Sequence, residues 1–568
     1  MNNKWKIKEK LEVNIKDLKV EPIVEYLLIQ RGIRSKQEAE QFLNPDYEKD
    51  LHDPFLFRDM EKFIERIRQA INSNEKVGIF GDHDVDGVSS ATLMAEILEK
   101  LNLDVDVYIP DKLTEGHGIN KKAVDQFTKS GITLMITVDC GMSNVAEIEY
   151  AKEKNIETII TDHHIAPDEI PDVVAIINPK VKNCGYPFTG LCGTGVVFKI
   201  VQAIYTTFFP DEMEQLKWIL DIVGVGTVAD CMPLLDENRT LVKYGLIVLS
   251  KTQRIGYQEM ISVGRMPISG NKIPTAETVA FQIAPRINAA GRMSHAREAY
   301  DLLRETNSLK AIERAKDIEQ KNVERRKITE KITKEVEKIV ESDFAEKPFI
   351  FLVAEHYPVG IVGIVAGRIA EKYRKPVGIF TQEKKESRGS FRSVQGIHIL
   401  EAIKESADLL TQFGGHTQAA GAVISNDNLD DFHLAMQESV GRQAKNFKKE
   451  MIEEIDLEIS HSEITFELVN EIKKFEPFGE ANREPKFLIK NLRLQEIRGV
   501  GNGDKHLKLR LVGEDSQIFN AIGFNLGDQK KDLVVGEEVD IVCNIGENEW
   551  QGNVSIQFKL IDIGRFEG

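Results

Sequence analysis

The chain has 568 residues, 42% hydrophobic and 29% charged, which suits about three or four soluble globular domains. Its formal net charge of −17 excludes a protein that coats nucleic acid by bulk attraction, although a local basic channel beside bound cations is still compatible with it. No apolar run approaches the ~18 residues needed to span a bilayer, the start Met1-Asn2-Asn3-Lys4-Trp5 has no signal-peptide pattern, and the five scattered cysteines form no Cys-x-x-Cys pair, so a reducing cytoplasm is expected.

Residues 1–50 are charged, helix-like stretches with a turn at Asn44-Pro45-Asp46, expected as an N-terminal extension packed on the first domain. A helix is predicted from Met60 to Ile71. The buried strand Lys76–Phe80 then ends in Gly81-Asp82-His83-Asp84-Val85-Asp86-Gly87, and an amphipathic helix follows. Three carboxylates at alternate positions repel one another unless a cation neutralises them. The other reading, an acidic turn with caps at Ser89 or Ser90, needs one acid and not three. Strands at Ile132–Val138, Ile156–Ile160 and Val173–Ile177 end at Asp139-Cys140-Gly141, at Thr161-Asp162-His163-His164 and at Asn178-Pro179. Short apolar strands alternating with helices indicate a parallel sheet, whose strand C-termini share one edge. Asp82, Asp84, Asp139, His163 and His164 are therefore expected to converge. Asp230, in an apolar setting, is either a further member or a capping or paired Asp. Carboxylates with imidazoles and no thiolate suit Mn²⁺ or Mg²⁺, and a two-ion carboxylate site is the usual one for phosphoester hydrolysis.

These segments, residues 80–87, 137–141, 161–164 and 226–234, resemble the four motifs of the DHH phosphoesterase superfamily, and within it the RecJ family of bacterial single-stranded-DNA exonucleases. The resemblance implies that Asp82, Asp84, Asp139, His163 and Asp230 hold two ions with Asp139 bridging, that His164 faces the scissile phosphate, and that Asp86 and Asp162 support them. It departs from the family pattern at His83 and His117, where Tyr is usual, at Lys112, where Arg is usual, and at Tyr357-Pro358, where Trp-His is usual.

The resemblance continues. Tyr186–Gly195 matches a glycine-rich loop, and Arg286, Asn288 and Arg292 are either phosphate ligands or surface residues capping a loop. From Leu309 to Val340 apolar residues recur at helical spacing without Gly or Pro, predicting a long connecting helix with the character of a solvated spacer. Residues 346–445 resemble a DHHA1 domain, with Ser390, Arg392 and His416 suited to donate to phosphate oxygens. Residues 452–563 are expected to be all-β: Leu507, Leu509 and Leu511 alternate with His506, Lys508 and Arg510, as in an OB-fold, and Trp550 is either a stacking residue or a core one.

The expected architecture is thus α/β multidomain: extension 1–50, parallel-sheet DHH catalytic domain 51–305, connecting helix 306–345, DHHA1 domain 346–445 and C-terminal OB β-barrel 452–563. The implied activity is 5′→3′ degradation of single-stranded DNA to mononucleotides in repair and recombination. Lys112, Arg286, Ser390 and Arg392 would hold the terminal phosphate, and a helicase and a single-strand-binding protein would be partners. No phosphate-loop motif calls for ATP. The rival readings are an oligoribonucleotide or cyclic-dinucleotide phosphodiesterase, a pyrophosphatase, and a non-catalytic replication scaffold.

Overall fold

The structure, a computed structural model, describes residues 4–9, 14–112, 114–268, 272–445, 452–550 and 552–564. The chain divides into two compact units. One comprises Met1–Leu51, Pro233–Lys243 and Lys449–Gly568; the other comprises His52–Met232 and Tyr244–Lys448.

The larger unit is built on a five-stranded, all-parallel sheet. In spatial order its strands are Asp104–Tyr108, Lys76–Gly81, Leu134–Val138, Glu157–Thr161 and Ala175–Ile177. Ile79, Phe80, Ile136, Val138, Ile159 and Ile160 are fully buried, as strands covered on both faces require. Helices Met60–Ser73, Val85–Lys100, Lys121–Lys129, Val145–Glu153 and Gly193–Phe208 belong to this domain. The helix Val85–Lys100 is capped by Asp84, whose carboxylate accepts from Gly87 N at 3.0 Å; neither Ser89 nor Ser90 is the cap.

The helix Ser308–Asp343 is no solvated spacer. Ala311, Ala315 and Ile318 in its first half and Ile332, Val336 and Val340 in its second half are buried. The second stripe packs with Ile350, Leu352, Ile361 and Val365 of the domain that follows. A mixed sheet forms that domain, in the order Leu410–Gly415, Ala419–Ser425, Glu386–Arg392, Val377–Gln382, Ile350–Ala354. The two domains of this unit also meet directly, where Arg292 Nη1 donates to Gly360 O at 3.2 Å. A Cβ at Gly360 would stand 2.2 Å from Arg292 O, so only glycine permits this approach.

In the smaller unit the strands Leu457–Glu458, Phe487–Val500, His506–Val512, Ile518–Gly523, Asn553–Gly564 and Glu538–Trp550 are joined in that order. Pairing of Phe487–Val500 with Glu538–Trp550 closes the barrel. Leu507, Leu509 and Leu511 point into it, as do Ile541, Cys543 and Phe558, while Lys508 and Arg510 are exposed. The Trp550 side chain lies outside the described residues.

Two expectations are corrected in this unit. The segment is not all-β, because Phe466–Lys473 is a helix capped by Thr465 that buries Leu468, Val469 and Ile472 at helical spacing. The described residues of the N-terminal extension share the core of the barrel. The strand Lys4–Ile7 pairs in parallel with Ile452–Ile455, and Ile15, Val24, Leu27, Leu28 and Leu43 share a core with Phe475, Phe487 and Leu509. Amphipathic periodicity shows that a segment needs a partner, but does not name the partner. Arg239 ties the same core together by donating to the carbonyls of Phe42, Lys474, Phe475 and Glu476 at 2.7–2.9 Å.

Because Ile332 is buried on the connecting helix and Lys334 is exposed, the two test its role. Ile332→Ala is expected to destabilise the larger unit by about 2–5 kcal/mol, and Lys334→Ala by less than about 0.5 kcal/mol. The midpoint shift of that unit's denaturant transition measures both.

Candidate metal centre and phosphate-binding wall

Three of the five strands of the parallel sheet deliver functional residues at their C-terminal ends. Asp82 follows Lys76–Gly81, Asp139 follows Leu134–Val138, and Asp162, His163 and His164 follow Glu157–Thr161. Asp230 terminates the helix Leu220–Ala229, as a C-cap and not an N-cap. Two groups result: Asp82, Asp84 and Asp139, and Asp86, His163 and Asp230; in each, the ligand atoms lie within 4.8 Å of one another. A third, Asp139 with His163 and His164, shares members with both. His163 Nε2 stands 3.2 Å from Asp139 Oδ1, 3.5 Å from Asp230 Oδ2 and 3.8 Å from Asp86 Oδ2.

The backbone is shaped for this convergence. Asp139 has φ of 60°, a left-handed conformation that costs a non-glycine residue about 1 kcal/mol or more. A Cβ at Gly193 would stand 2.7 Å from Asp139 Oδ1. The N-terminus of the helix Gly193–Phe208 holds Asp86, whose carboxylate accepts from Gly193 N (2.6 Å), Thr194 N (2.8 Å) and Thr194 Oγ1. Asp162 organises the turn after its strand. Its Oδ1 accepts from the backbone of His163 and His164 and faces His164 Nδ1 at 2.8 Å, while Oδ2 accepts from Met142 N. Asn178 Nδ2 donates to His164 O, holding the turn from the neighbouring strand end. The two adjacent histidines consequently diverge: His163 is buried and His164 is exposed on its outer side.

The electrostatics follow the geometry. Burial, reinforced by Asp86, Asp84, Asp82 and Asp230, pushes the Asp139 carboxyl well above the ordinary range. Burial, then Asp86 and Asp84, pushes Asp230 up to about 8. Burial lowers His163 to about 4, leaving a neutral imidazole; the Asp162 hydrogen bond raises His164 to about 9, leaving an imidazolium at neutral pH. Asp82 Oδ1, Asp139 Oδ1 and His163 Nδ1 are buried without hydrogen-bond partners. Buried, mutually repelling carboxylates with orphaned oxygens and a neutral imidazole fit divalent cations of the Mn²⁺ and Mg²⁺ class. Asp82, Asp84, Asp139, His163 and Asp230 could hold them.

Facing these acids is a positive wall. Lys112, Arg292 and Arg392 lie within electrostatic reach of one another, and Lys112 also feels Asp82 and Asp84. Burial first, then Arg292, lowers the Lys112 ammonium to about 8. Ser390 joins Arg392 on one face of the strand Glu386–Arg392; a Cβ at Gly363 would stand 3.3 Å from Ser390 Oγ and 3.4 Å from Arg392 Nη2. Asn288 is half-buried on the helix Ala284–Met293 that carries Arg292.

Other predicted ligands are placed differently. Arg286 is committed elsewhere, with Nε on Glu319 Oε2 at 2.6 Å and Nη1 on Gln282 O at 2.6 Å. His416 is exposed in the hairpin between Leu410–Gly415 and Ala419–Ser425.

Sequence reasoning missed Lys180, which faces His163 and Asp230, and Arg325 and Arg368, which extend the charge around Arg292. Arg325 sits in a Glu324-Arg325-Arg326-Lys327 run indistinguishable from a solvated helix face. The Asn178-Pro179-Lys180 turn at a strand end was a usable signal for Lys180.

The chain matches the models of the DHH family N-terminal domain over residues 76–227, the DHHA1 domain over 346–442 and the RecJ OB domain over 455–562. It is 36% identical to the single-stranded-DNA-specific exonuclease RecJ of Bacillus subtilis over 98% of this chain and 70% of that protein. The chain belongs to the RecJ family. RecJ of Escherichia coli is 30% identical over 95% of this chain and 96% of its own length. The crystal structure of RecJ from Thermus thermophilus in complex with Mn²⁺ superposes with a TM-score of 0.82 at 26% identity, covering all of this chain and 80% of that one.

Two predictions test the centre. Asp139 and Asp230 hold protons more tightly folded than unfolded, so the metal-free fold loses stability as pH rises from the ordinary carboxylate range through about 8. Mn²⁺ requires the deprotonated groups, so its thermal stabilisation is expected to widen from about pH 5 to about pH 8.5, with net proton release in calorimetry. Gly193→Ala, by displacing Asp139, is expected to weaken Mn²⁺ binding by about tenfold or more, measured by the same titration.

Proposed function

We propose that this chain is an Mn²⁺- or Mg²⁺-dependent exonuclease that degrades single-stranded DNA from its 5′ end to mononucleotides. The observation that carries the reading is the pairing of a buried carboxylate–imidazole centre with a wall of Lys112, Arg292 and Arg392 opposite it. Membership of the RecJ family and the barrel with exposed Lys508 and Arg510 support it. In two-ion centres of this type the cations activate water and neutralise charge on the phosphoryl oxygens.

The chain's own residues supply the rest. Asp82, Asp84, Asp139, His163 and Asp230 would hold the ions, beside Asp86 anchored on a helix N-terminus and Asp162 anchored in the strand-end turn. His164, protonated through Asp162, donates to the oxygen on which negative charge develops. Lys112, Arg292, Arg392 and Ser390 take the terminal 5′ phosphate. Since only a strand end can put a phosphate there, this clamp sets the polarity.

Arg392 is suited to bind the phosphate as a fork, and the partly buried Lys112 as a point charge. The barrel tracks the single strand. This reading places the chain in the cytoplasm in DNA repair and recombination, with a helicase and a single-strand-binding protein as partners and no ATP-driven step. A small-substrate phosphodiesterase would have no use for the barrel.

The test is Mn²⁺-dependent digestion of a 3′-labelled, 5′-phosphorylated single strand beside its duplex. Progressive shortening of the single strand alone, abolished in Asp139→Ala, is expected; an intact strand with hydrolysed dinucleotide would assign a small-substrate enzyme instead. His164→Ala is expected to lower kcat by about 10²–10³-fold. It should also remove the alkaline limb near pH 9, because only the imidazolium donates. Arg392→Ala should raise KM for 5′-phosphorylated strands more than for 5′-hydroxyl strands.

A further inference from the structure

Beside the carboxylate centre, Asp82, His83 and His117 form a separate cluster whose ligand atoms all lie within 4.8 Å of one another. His83 is 4% exposed, and neither of its ring nitrogens has a hydrogen-bond partner. Its Nδ1 stands 2.7 Å from Asp82 Oδ1, also unpartnered, without the alignment of a hydrogen bond. His117 Nδ1 approaches the other Asp82 oxygen at 3.6 Å, and the two imidazole centroids are 4.5 Å apart. Leaving a buried imidazole unpaired is costly, and here it is aimed at a carboxylate that a second imidazole also faces.

The loop that carries His117 is built to hold it. Gly116 and Gly118 flank it with φ of 77° and 81°, and a Cβ at Gly118 would stand 2.7 Å from Asn144 Oδ1. That oxygen accepts from Ile119 N at 3.2 Å. Just upstream, the Glu115 carboxylate accepts from Tyr108 OH at 2.9 Å and from Asp111 N at 3.3 Å, and pairs with Lys122.

We propose that Asp82, His83 and His117 form a third cation site, distinct from the carboxylate pair and selective for a borderline transition ion such as Zn²⁺ over Mg²⁺. Two imidazoles and one carboxylate are a common zinc donor set, whereas Mg²⁺ prefers oxygen ligands and retained waters. Asp82 is shared with the carboxylate centre, so the two sites are linked through one side chain. His83 and His117 belong to this site and not to the carboxylate centre, so its failure would leave the nuclease reading intact.

The probe is Zn²⁺, titrated against a chromophoric chelator into the full chain with Mg²⁺ in large excess. A bound zinc is expected whose affinity falls by about tenfold or more in His117→Ala and in His83→Phe. Its affinity should be unchanged in His398→Ala, an exposed histidine outside the cluster. His117 is 70% exposed, so its truncation leaves the fold intact even if the buried His83→Phe change does not. Zinc affinity unaltered by His117→Ala, or no zinc bound beside Mg²⁺, would overturn the proposal.

Discussion

Mutual repulsion among buried carboxylates is the constraint on which the larger unit is organised. Asp82, Asp84, Asp86, Asp139 and Asp230 face one another where a parallel sheet and a helix end converge, and burial amplifies every unfavourable pair. The fold answers in three ways. Asp86 is neutralised by backbone N–H groups at a helix start, Asp162 by three backbone N–H groups and His164, and the remainder is left for cations. The left-handed backbone at Asp139 and the bare Cα of Gly193 are the local costs of that convergence.

The same centre separates two neighbouring histidines by chemistry. His163 turns inward among acids and is desolvated to a neutral ligand, whereas His164 turns outward and is held protonated by Asp162. One strand-end turn thus holds a neutral imidazole and a protonated one side by side. Opposite it, Lys112, Arg292 and Arg392 come from three distant parts of the chain. The helix Ser308–Asp343 keeps the two domains in register by burying one stripe of side chains in each half.

The strand-to-helix alternation, the carboxylate clusters at strand ends and the barrel alternation at Leu507, Leu509 and Leu511 are all legible in the amino-acid sequence. Each is a local pattern with a period of 2 or 3.6 residues, or a run of like charges with one physical remedy. Less is legible at the wall. Arg286 and Arg292 lie six residues apart in one motif, yet Glu319 captures the first and leaves the second for the wall. His416 carries a recognisable glycine-rich pattern and is exposed in its hairpin. Arg325 and Arg368 have no pattern that distinguishes them from solvated charge, and Lys180 has only the turn in which it sits.

By itself the sequence determined where most strands and helices fall, which of their faces are buried, and that the acids at the strand ends require cations, since all of these follow from near-neighbour periodicity and charge. Only the tertiary structure decided which partner each amphipathic surface chose. It placed the N-terminal residues on the barrel core, paired Arg286 with Glu319, and brought His117 to Asp82. The physical reason is that burial and repulsion specify that a group must be satisfied, while the identity of what satisfies it depends on contacts between residues far apart in the chain.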